Sequence, residues 1–245
     1  MTASPGAKFG IPIVLTATII PNQVTAAGTS NPETRLAEYL NTLKFYRQFA
    51  PVIFLENSGY PLERHPEFAE TTGLCVKKFA PAANPERGKG YQEFEMLDAW
   101  LAAEPQPPAR WLKISGRYLL HNIDDILNEC RMESHSELII DQTARTGMAR
   151  TYSFCVNTNF YRRQLAGLYQ QCDDRTGEWI ECVLFRKLKT ARAGEVRLFV
   201  TQPRITAIAG SSGAAFPSGR GQWLGKQMLR NLNRLVDRKY LWYSK

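Results

Sequence analysis

The chain has no run approaching the ~20 apolar residues that a membrane-spanning helix requires. Its early apolar segment, FGIPIVLTATII, is bounded by Pro12 and Pro21 and rich in β-branched residues, so it reads as a strand. A secretory leader is not expected either. Lys8 is the sole early positive charge, and no small-residue cleavage site follows a leucine-rich stretch. The expected location is the cytoplasm. Cysteine is sparse: Cys75, Cys130, Cys155, Cys172 and Cys182 are odd in number and form no CxxC pair, which suits reduced, buried thiols. The three histidines are scattered, so no zinc cluster is expected. A GxxxxGK[ST] phosphate loop is absent, and the GxG at Gly219 and Gly221 follows no strand, which argues against a dinucleotide fingerprint.

What is present is an ordinary globular composition, 44% hydrophobic and 22% charged over 245 residues. That length can bury one sizeable core. The expected organisation is one catalytic domain over residues 1–215 with a loop and helix, 216–245, appended to it. The formal net charge of +8 attracts anions: nucleotides, phosphorylated lipids, acidic glycans or nucleic acid.

Along the chain, apolar runs alternate with helical periods. IPIVLTATII (11–20) reads as a strand. SNPETRLAEYLNTLKFYRQF then supplies Ser30 or Asn31 as a cap, Pro32 in the first turn and Leu36, Leu40 and Leu43 at helical spacing. PVIFLEN, TGLCVKKF, RWLKIS, SELIID and EVRLFV read as strands, while YQEFEMLDAWLAAE, IDDILNECRM and EWIECVLFRKLK read as helices. TYSFCVNTNFYRRQLAGLYQQC reads as a strand or turn entering a helix. The rhythm predicts an α/β fold, a mostly parallel sheet flanked by helices, with ligands at the carboxyl ends of the strands. KQMLRNLNRLVDRKYLWYSK is a basic amphipathic C-terminal helix.

The segments LTATIIPN, FLENSGY, RGKGYQEFEMLDAWL, WLKISGRYLLHNIDDIL, SFCVNTNFYRRQL and GEWIECVLFRKL stand in an order that resembles the GT-A-fold glycosyltransferases. The resemblance is to the small bacterial enzymes that build surface polysaccharide (capsule, O-antigen or lipopolysaccharide), and it covers most of residues 11–213. It implies a Rossmann-like fold, a nucleotide-sugar donor of UDP, GDP or CMP type, and a glycan or lipid-linked acceptor. Thr16 and Thr18 would end the base-binding strand. Glu56 and Asn57 would face the ribose, although Glu56 can instead cap the turn closed by Ser58-Gly59. RGKGYQE brings Arg87 and Lys89 to a helix N-terminus, where charge and backbone N–H groups favour an anion, or forms a plain solvated loop.

Family members commonly end the WLKIS strand in a DxD motif that holds a divalent metal on the donor phosphates. Here Ser115-Gly116-Arg117 stands in that place. A guanidinium meets phosphate oxygens bidentately, so metal-independent transfer is expected, with no divalent cofactor and with Arg117, Lys113 and Ser115 on the phosphates. In GEWIECVLF, Glu181 is the first candidate for the base and Glu178 the second, sharing a helix face beside Trp179; ordinary surface acids fit as well. Asp141 is a third candidate, or a turn cap. Asn157, Asn159 and Trp179 are candidates for the acceptor side. Ser211, Ser212 and Arg220 lie in a small-residue loop that reads as an anion nest or a lid.

The C-terminal helix suits the anionic inner face of the cytoplasmic membrane, each basic residue there contributing ~1 kcal/mol, or packs on the domain or a partner. Nucleic acid is not an expected partner, because the basic residues do not interleave with aromatics as in RNA-binding sheets. A nucleic-acid-binding protein and a noncatalytic or hydrolytic nucleotide-sugar-binding relative are the competing readings.

Overall fold

The structure is a computed structural model that describes residues 10–21, 31–143, 146–208, 215–216 and 219–236. In chain order the elements are β1 (Ile13–Ala17), α1 (Pro32–Tyr46), β2 (Val52–Glu56), β3 (Leu74–Lys78), α2 (Lys89–Ala103), β4 (Arg110–Ser115), β5 (Leu119–Leu120), α3 (Ile123–Met132), β6 (Leu138–Thr143) and β7 (Met148–Asn157). They continue with α4 (Thr158–Phe160), a π-helical turn (Tyr161–Leu165), α5 (Ile180–Leu188), β8 (Val196–Arg197), β9 (Ile205–Ile208), β10 (Ala215–Phe216) and α6 (Arg220–Val236).

Seven strands form one sheet in the order β3-β2-β1-β4-β7-β6-β8. The first four run parallel, as the sequence rhythm predicts. All five residues of β1 are buried, which is what a strand covered by helices on both faces requires. β7 breaks the pattern, pairing antiparallel with β4 on one side and β6 on the other. β10, β9 and β5 make a small second sheet.

Two apolar layers sandwich the main sheet. One packs Phe94, Leu97 and Trp100 of α2 and Val183 and Leu184 of α5 against Val14, Trp111 and Phe154. The other packs Leu36, Tyr39 and Leu43 of α1 and Ile126 and Leu127 of α3 against Leu15, Leu112 and Ile114. Alternation along β4 thus sends Trp111 to one layer and Leu112 and Ile114 to the other. Asn31 caps α1, its Oδ1 accepting from the Glu33 amide at 2.8 Å, with Pro32 in the first turn.

Several elements are shorter than the sequence predicts, because side chains satisfy the backbone where a neighbouring strand would. β1 stops at Ala17: the Thr18 amide donates to the Tyr39 hydroxyl and the Ile19 amide to Glu56. EVRLFV yields only the two residues of β8, and the Val200 and Thr201 amides donate to the carboxylate of Glu129. α5 begins at Ile180, so Glu178 lies outside it and shares no helix face with Glu181.

α6 docks on the body through polar side chains. Trp223 Nε1 donates to the Gln202 carbonyl at 2.7 Å, Gln227 Oε1 accepts from the Gln202 amide, and Arg230 meets Asp141 with two bonds of 2.9 Å. Its apolar residues face outward instead: Leu224, Met228, Leu229, Leu232, Leu235 and Val236 are all exposed, the last two at 81% and 88%. Among the described residues, no helix is long and apolar enough to cross a membrane.

Candidate functional site

A cleft of about 300 Å³ opens where β1 and β4 end, walled by α1, the start of α2, the start of β7 and the first turn of α5. Its floor is a polar network built on a buried lysine. Lys113 is fully buried, and its Nζ lies 2.7 Å from Glu93 Oε1 while donating to Ser115 Oγ at 2.8 Å and to the Thr151 carbonyl at 2.7 Å. The same Glu93 oxygen accepts from Thr16 Oγ1 and from Ser115 Oγ. Burial pushes the Lys113 ammonium down from its ordinary pKa, and the Glu93 carboxylate opposes that shift. With three acceptors around it, Lys113 holds the strand ends together beneath the cleft and is not a phosphate clamp.

Gly116 lets the turn after β4 lie against β1. A Cβ there would sit 2.7 Å from the Thr16 carbonyl oxygen and 2.9 Å from the Tyr39 ring. The turn carries Arg117 into the cleft wall, where its Nη1 donates to Glu38 of α1 at 2.9 Å. Arg35, one turn earlier on α1, donates through Nε to the Thr18 carbonyl at 2.9 Å and also lines the cleft. Lys89 and Arg150 complete the cationic lining. Burial first, then the neighbouring Arg35 and Arg117, bring the Lys89 pKa down to about 8, against the opposing pull of Asp174.

The N-terminus of α2 already holds an anion belonging to this chain. The Asp174 carboxylate accepts from the Lys89 backbone N–H, and Gly88, at φ +112°, has no room for a side chain because a Cβ would fall 2.0 Å from Asp174 Oδ2. The expected convergence of Arg87, Lys89 and the helix amides on a ligand is therefore corrected in part. Arg87 turns away, donating to the carbonyls of Cys172 at 2.9 Å and Gln170 at 2.6 Å and covering the Tyr91 ring.

The carboxylates lining the cleft are Glu93 and Glu181. Glu181 sits in the first turn of α5 and accepts from Thr151 Oγ1 at 3.0 Å. Burial raises its pKa above the usual carboxylate range, helped by the nearby Glu93 and Asp174, while its own backbone N–H and Thr151 pull the other way. A carboxylate so placed can exchange a proton with a bound hydroxyl nearer neutral pH than a surface acid can.

The structure thus gathers Thr16, Thr18, Lys89, Ser115, Arg117 and Glu181 around one cavity. Other expected residues stand elsewhere. Glu56 is fully buried behind the cleft, accepting from the amides of Ile19 and Ser58, so it caps the turn instead of facing a ribose. Asn57 bridges Thr18 Oγ1 and the Gln92 carbonyl. Glu178 is half-buried and paired with Arg186, and Trp179 is the exposed cap of α5, outside the cleft lining. Asp141 lies within β6 and is bound by Arg230.

Asn157 and Asn159 are displaced furthest. Because β7 runs antiparallel, Asn157 pairs with Arg110 at the start of β4, the opposite end of the sheet from Ser115. There it accepts from Arg110 at 2.8 Å and donates to Glu137 at 2.9 Å. Arg220 is the exposed first residue of α6, and Ser211 and Ser212 lie outside the described residues. Arg35, Tyr39, Arg150 and Asp174 were not singled out in sequence. Arg35 and Tyr39 lie four apart on one helix, a spacing every amphipathic helix offers, and nothing local marks Arg150 or Asp174.

No protein-family model matches the chain, and no curated protein sequence is similar to it. Some solved structures are similar to it at low identity. A cytidylyltransferase from Leptospira borgpetersenii is 12% identical, covering 96% of this chain and 91% of its own, with a TM-score of 0.46. The apo form of mouse xyloside xylosyltransferase 1 is 11% identical over 77% of this chain and 84% of its own, with a TM-score of 0.45. The inositol-1-phosphate CTP transferase of T. maritima is 12% identical over 77% and 84%, also with a TM-score of 0.45.

Proposed function

We propose that the chain is a nucleotide-sugar-dependent glycosyltransferase acting on a bacterial surface glycan or a lipid-linked acceptor. The observation that carries this reading is the meeting, in one cleft at the carboxyl end of the central sheet, of Arg35, Lys89 and Arg117 with the half-buried carboxylate of Glu181. Donor phosphates of UDP, GDP or CMP type lie against the three cations. Glu181 takes the proton of an acceptor hydroxyl as its oxygen bonds to the anomeric carbon. The carbon–oxygen bond to phosphate breaks in the same displacement, and its electron pair leaves with the nucleotide, whose new charge Arg117 stabilises.

In this reading the guanidinium does what a carboxylate-held metal does in related enzymes, so transfer proceeds without a divalent ion. Glu93, the nearest carboxylate to Ser115, is already engaged by Lys113, Thr16 and Ser115.

A lipid-linked acceptor is consistent with α6, which turns its apolar residues outward and carries Arg220 and Arg234. The sequence beyond it adds Arg238, Lys239 and Lys245 around Trp242 and Tyr243. The outward face of α6 matches the inner leaflet of the cytoplasmic membrane as a peripheral contact.

The test is nucleotide release from UDP-, GDP- and CMP-sugars, measured with and without an extract of lipid-linked and surface glycans. Release that rises when acceptor is added supports transfer. Release at the same rate with and without acceptor identifies a hydrolase, and strong salt-dependent RNA binding with no donor turnover would identify a nucleic-acid-binding protein.

A further inference from the structure

A second cavity, of about 570 Å³, lies between the body and α6. It adjoins the first: Tyr118, Arg150 and Tyr152 line both. The two tyrosine rings stack on each other, centroids 5.5 Å apart and planes 3° from parallel, and so give both cavities a flat aromatic surface where they adjoin. Burial keeps both phenols protonated, as hydrogen-bond donors. Between Arg150 and Tyr152 in the chain, Thr151 donates to Glu181, which brings the base to the same junction.

Trp223 lines the far wall, its indole N–H held by the Gln202 carbonyl. Asp141 and Arg230 also line the cavity, but they neutralise each other through two bonds of 2.9 Å. The net charge of the cavity is therefore set by Arg150 and Lys226, which are exposed and make no salt bridge among the described residues. Aromatic walls, hydroxyl donors and two cations together suit a sugar ring bearing negative charge.

We propose that this second cavity seats the acceptor, and that the acceptor is an anionic sugar carrying a phosphate or a carboxylate that Lys226 and Arg150 engage. The proposal rests on the reading of the first cleft as the donor site. It places the acceptor hydroxyl beside the stacked Tyr118 and Tyr152, where the two cavities adjoin and the hydroxyl can meet the anomeric carbon directly, with Glu181 at the boundary. It also gives α6 a part in the site itself, because Trp223 and Lys226 both belong to that helix.

Methyl β-glucuronide, methyl 6-phospho-β-glucoside and neutral methyl β-glucoside are titrated into the full chain, following the Trp223 indole N–H resonance, assigned with Trp223→Phe. At least one anionic probe is expected to bind about tenfold more tightly than the neutral one, the size of a charge-assisted contact. Which anion prevails tells phosphate from carboxylate. Lys226→Glu, a change at a solvent-exposed side chain, should erase the preference while nucleotide thermal shifts stay as in the parent. Equal binding of the neutral probe, an anion preference that survives Lys226→Glu, or a Trp223 signal that never moves would overturn the assignment. Lys226-dependent binding of an anionic probe, without a thermal shift from any nucleotide, would instead sink the donor reading and leave the cavity as an anionic-sugar site.

Discussion

Lys113 Nζ, with no exposed surface, lies 2.7 Å from Glu93 Oε1, and this ion pair joins β4 to α2 directly beneath the cleft. Its ammonium also reaches Ser115 and Thr151, and Thr16 donates to Glu93, so β1, β4, β7 and α2 converge on this ion pair. A pair of this kind contributes little net stability over apolar residues of the same shape, but breaking one half of it is costly.

Lys113→Met is therefore expected to destabilise the fold by about 3 kcal/mol, since Glu93 would lose its buried partner. Lys113→Met combined with Glu93→Leu should cost clearly less than the sum of the single changes. Urea denaturation of the four proteins measures the coupling. Strict additivity would show that the two groups do not act as a pair.

Lys89 supplies a pH dependence. With its pKa brought down to about 8, it loses its proton as the pH passes through that value in the empty cleft. A phosphate bound nearby raises the pKa, so binding takes up a proton and nucleotide affinity should fall as pH rises from about 7 to about 9.5. Lys89→Met should bind more weakly at the lower pH and lose most of the slope. Calorimetry at both values reads this, and an unchanged slope in Lys89→Met would exclude the lysine as its source.

Glu181 should set the acid limb of activity. Its raised pKa keeps it protonated to a higher pH than an ordinary carboxylate, so turnover rises with pH through a range above the usual one. Glu181→Gln should lower kcat by about 10² to 10⁴ and abolish that limb, leaving nucleotide affinity within a fewfold of the parent. A variant that retains turnover would remove Glu181 from the mechanism.

The outward apolar face of α6 predicts lipid binding. Leu232→Asp with Leu235→Asp should abolish cosedimentation with vesicles containing phosphatidylglycerol and leave the melting temperature nearly unchanged, because both side chains are exposed. Binding of the parent should weaken with salt. A parent that ignores such vesicles, or forms a dimer that the double variant disrupts, would assign the face to another copy of the chain.

Local signals were strong enough to give much of the fold. IDDILNECRM became α3 over the same residues, Asn31 proved to be the cap of α1, and the alternating rhythm gave the parallel half of the sheet. Strand direction was not legible, because an apolar run encodes burial and not polarity. Reversal of β7 carried Asn157 to the wrong end of the sheet for an acceptor role near Ser115. Arg87 and Glu56 were placed by residue type, yet their partners, the carbonyls of Gln170 and Cys172 and the amides of Ile19 and Ser58, are set by packing that the local sequence does not show. The helical period of the tail was visible, but amphipathicity alone does not say which face docks. Here Trp223, Gln227 and Arg230 dock, and the leucines do not.

The central claim is that side-chain cations, Arg117 foremost, hold the donor phosphates without a metal. Calorimetric titration of UDP, GDP, CMP and their sugars into the protein in EDTA, repeated with Mn²⁺ and with Arg117→Met, tests it most directly. The account predicts a nucleotide that binds equally well in EDTA and Mn²⁺ and at least about tenfold more weakly to Arg117→Met. Binding that disappears with the chelator, or that Arg117→Met leaves intact, would contradict it.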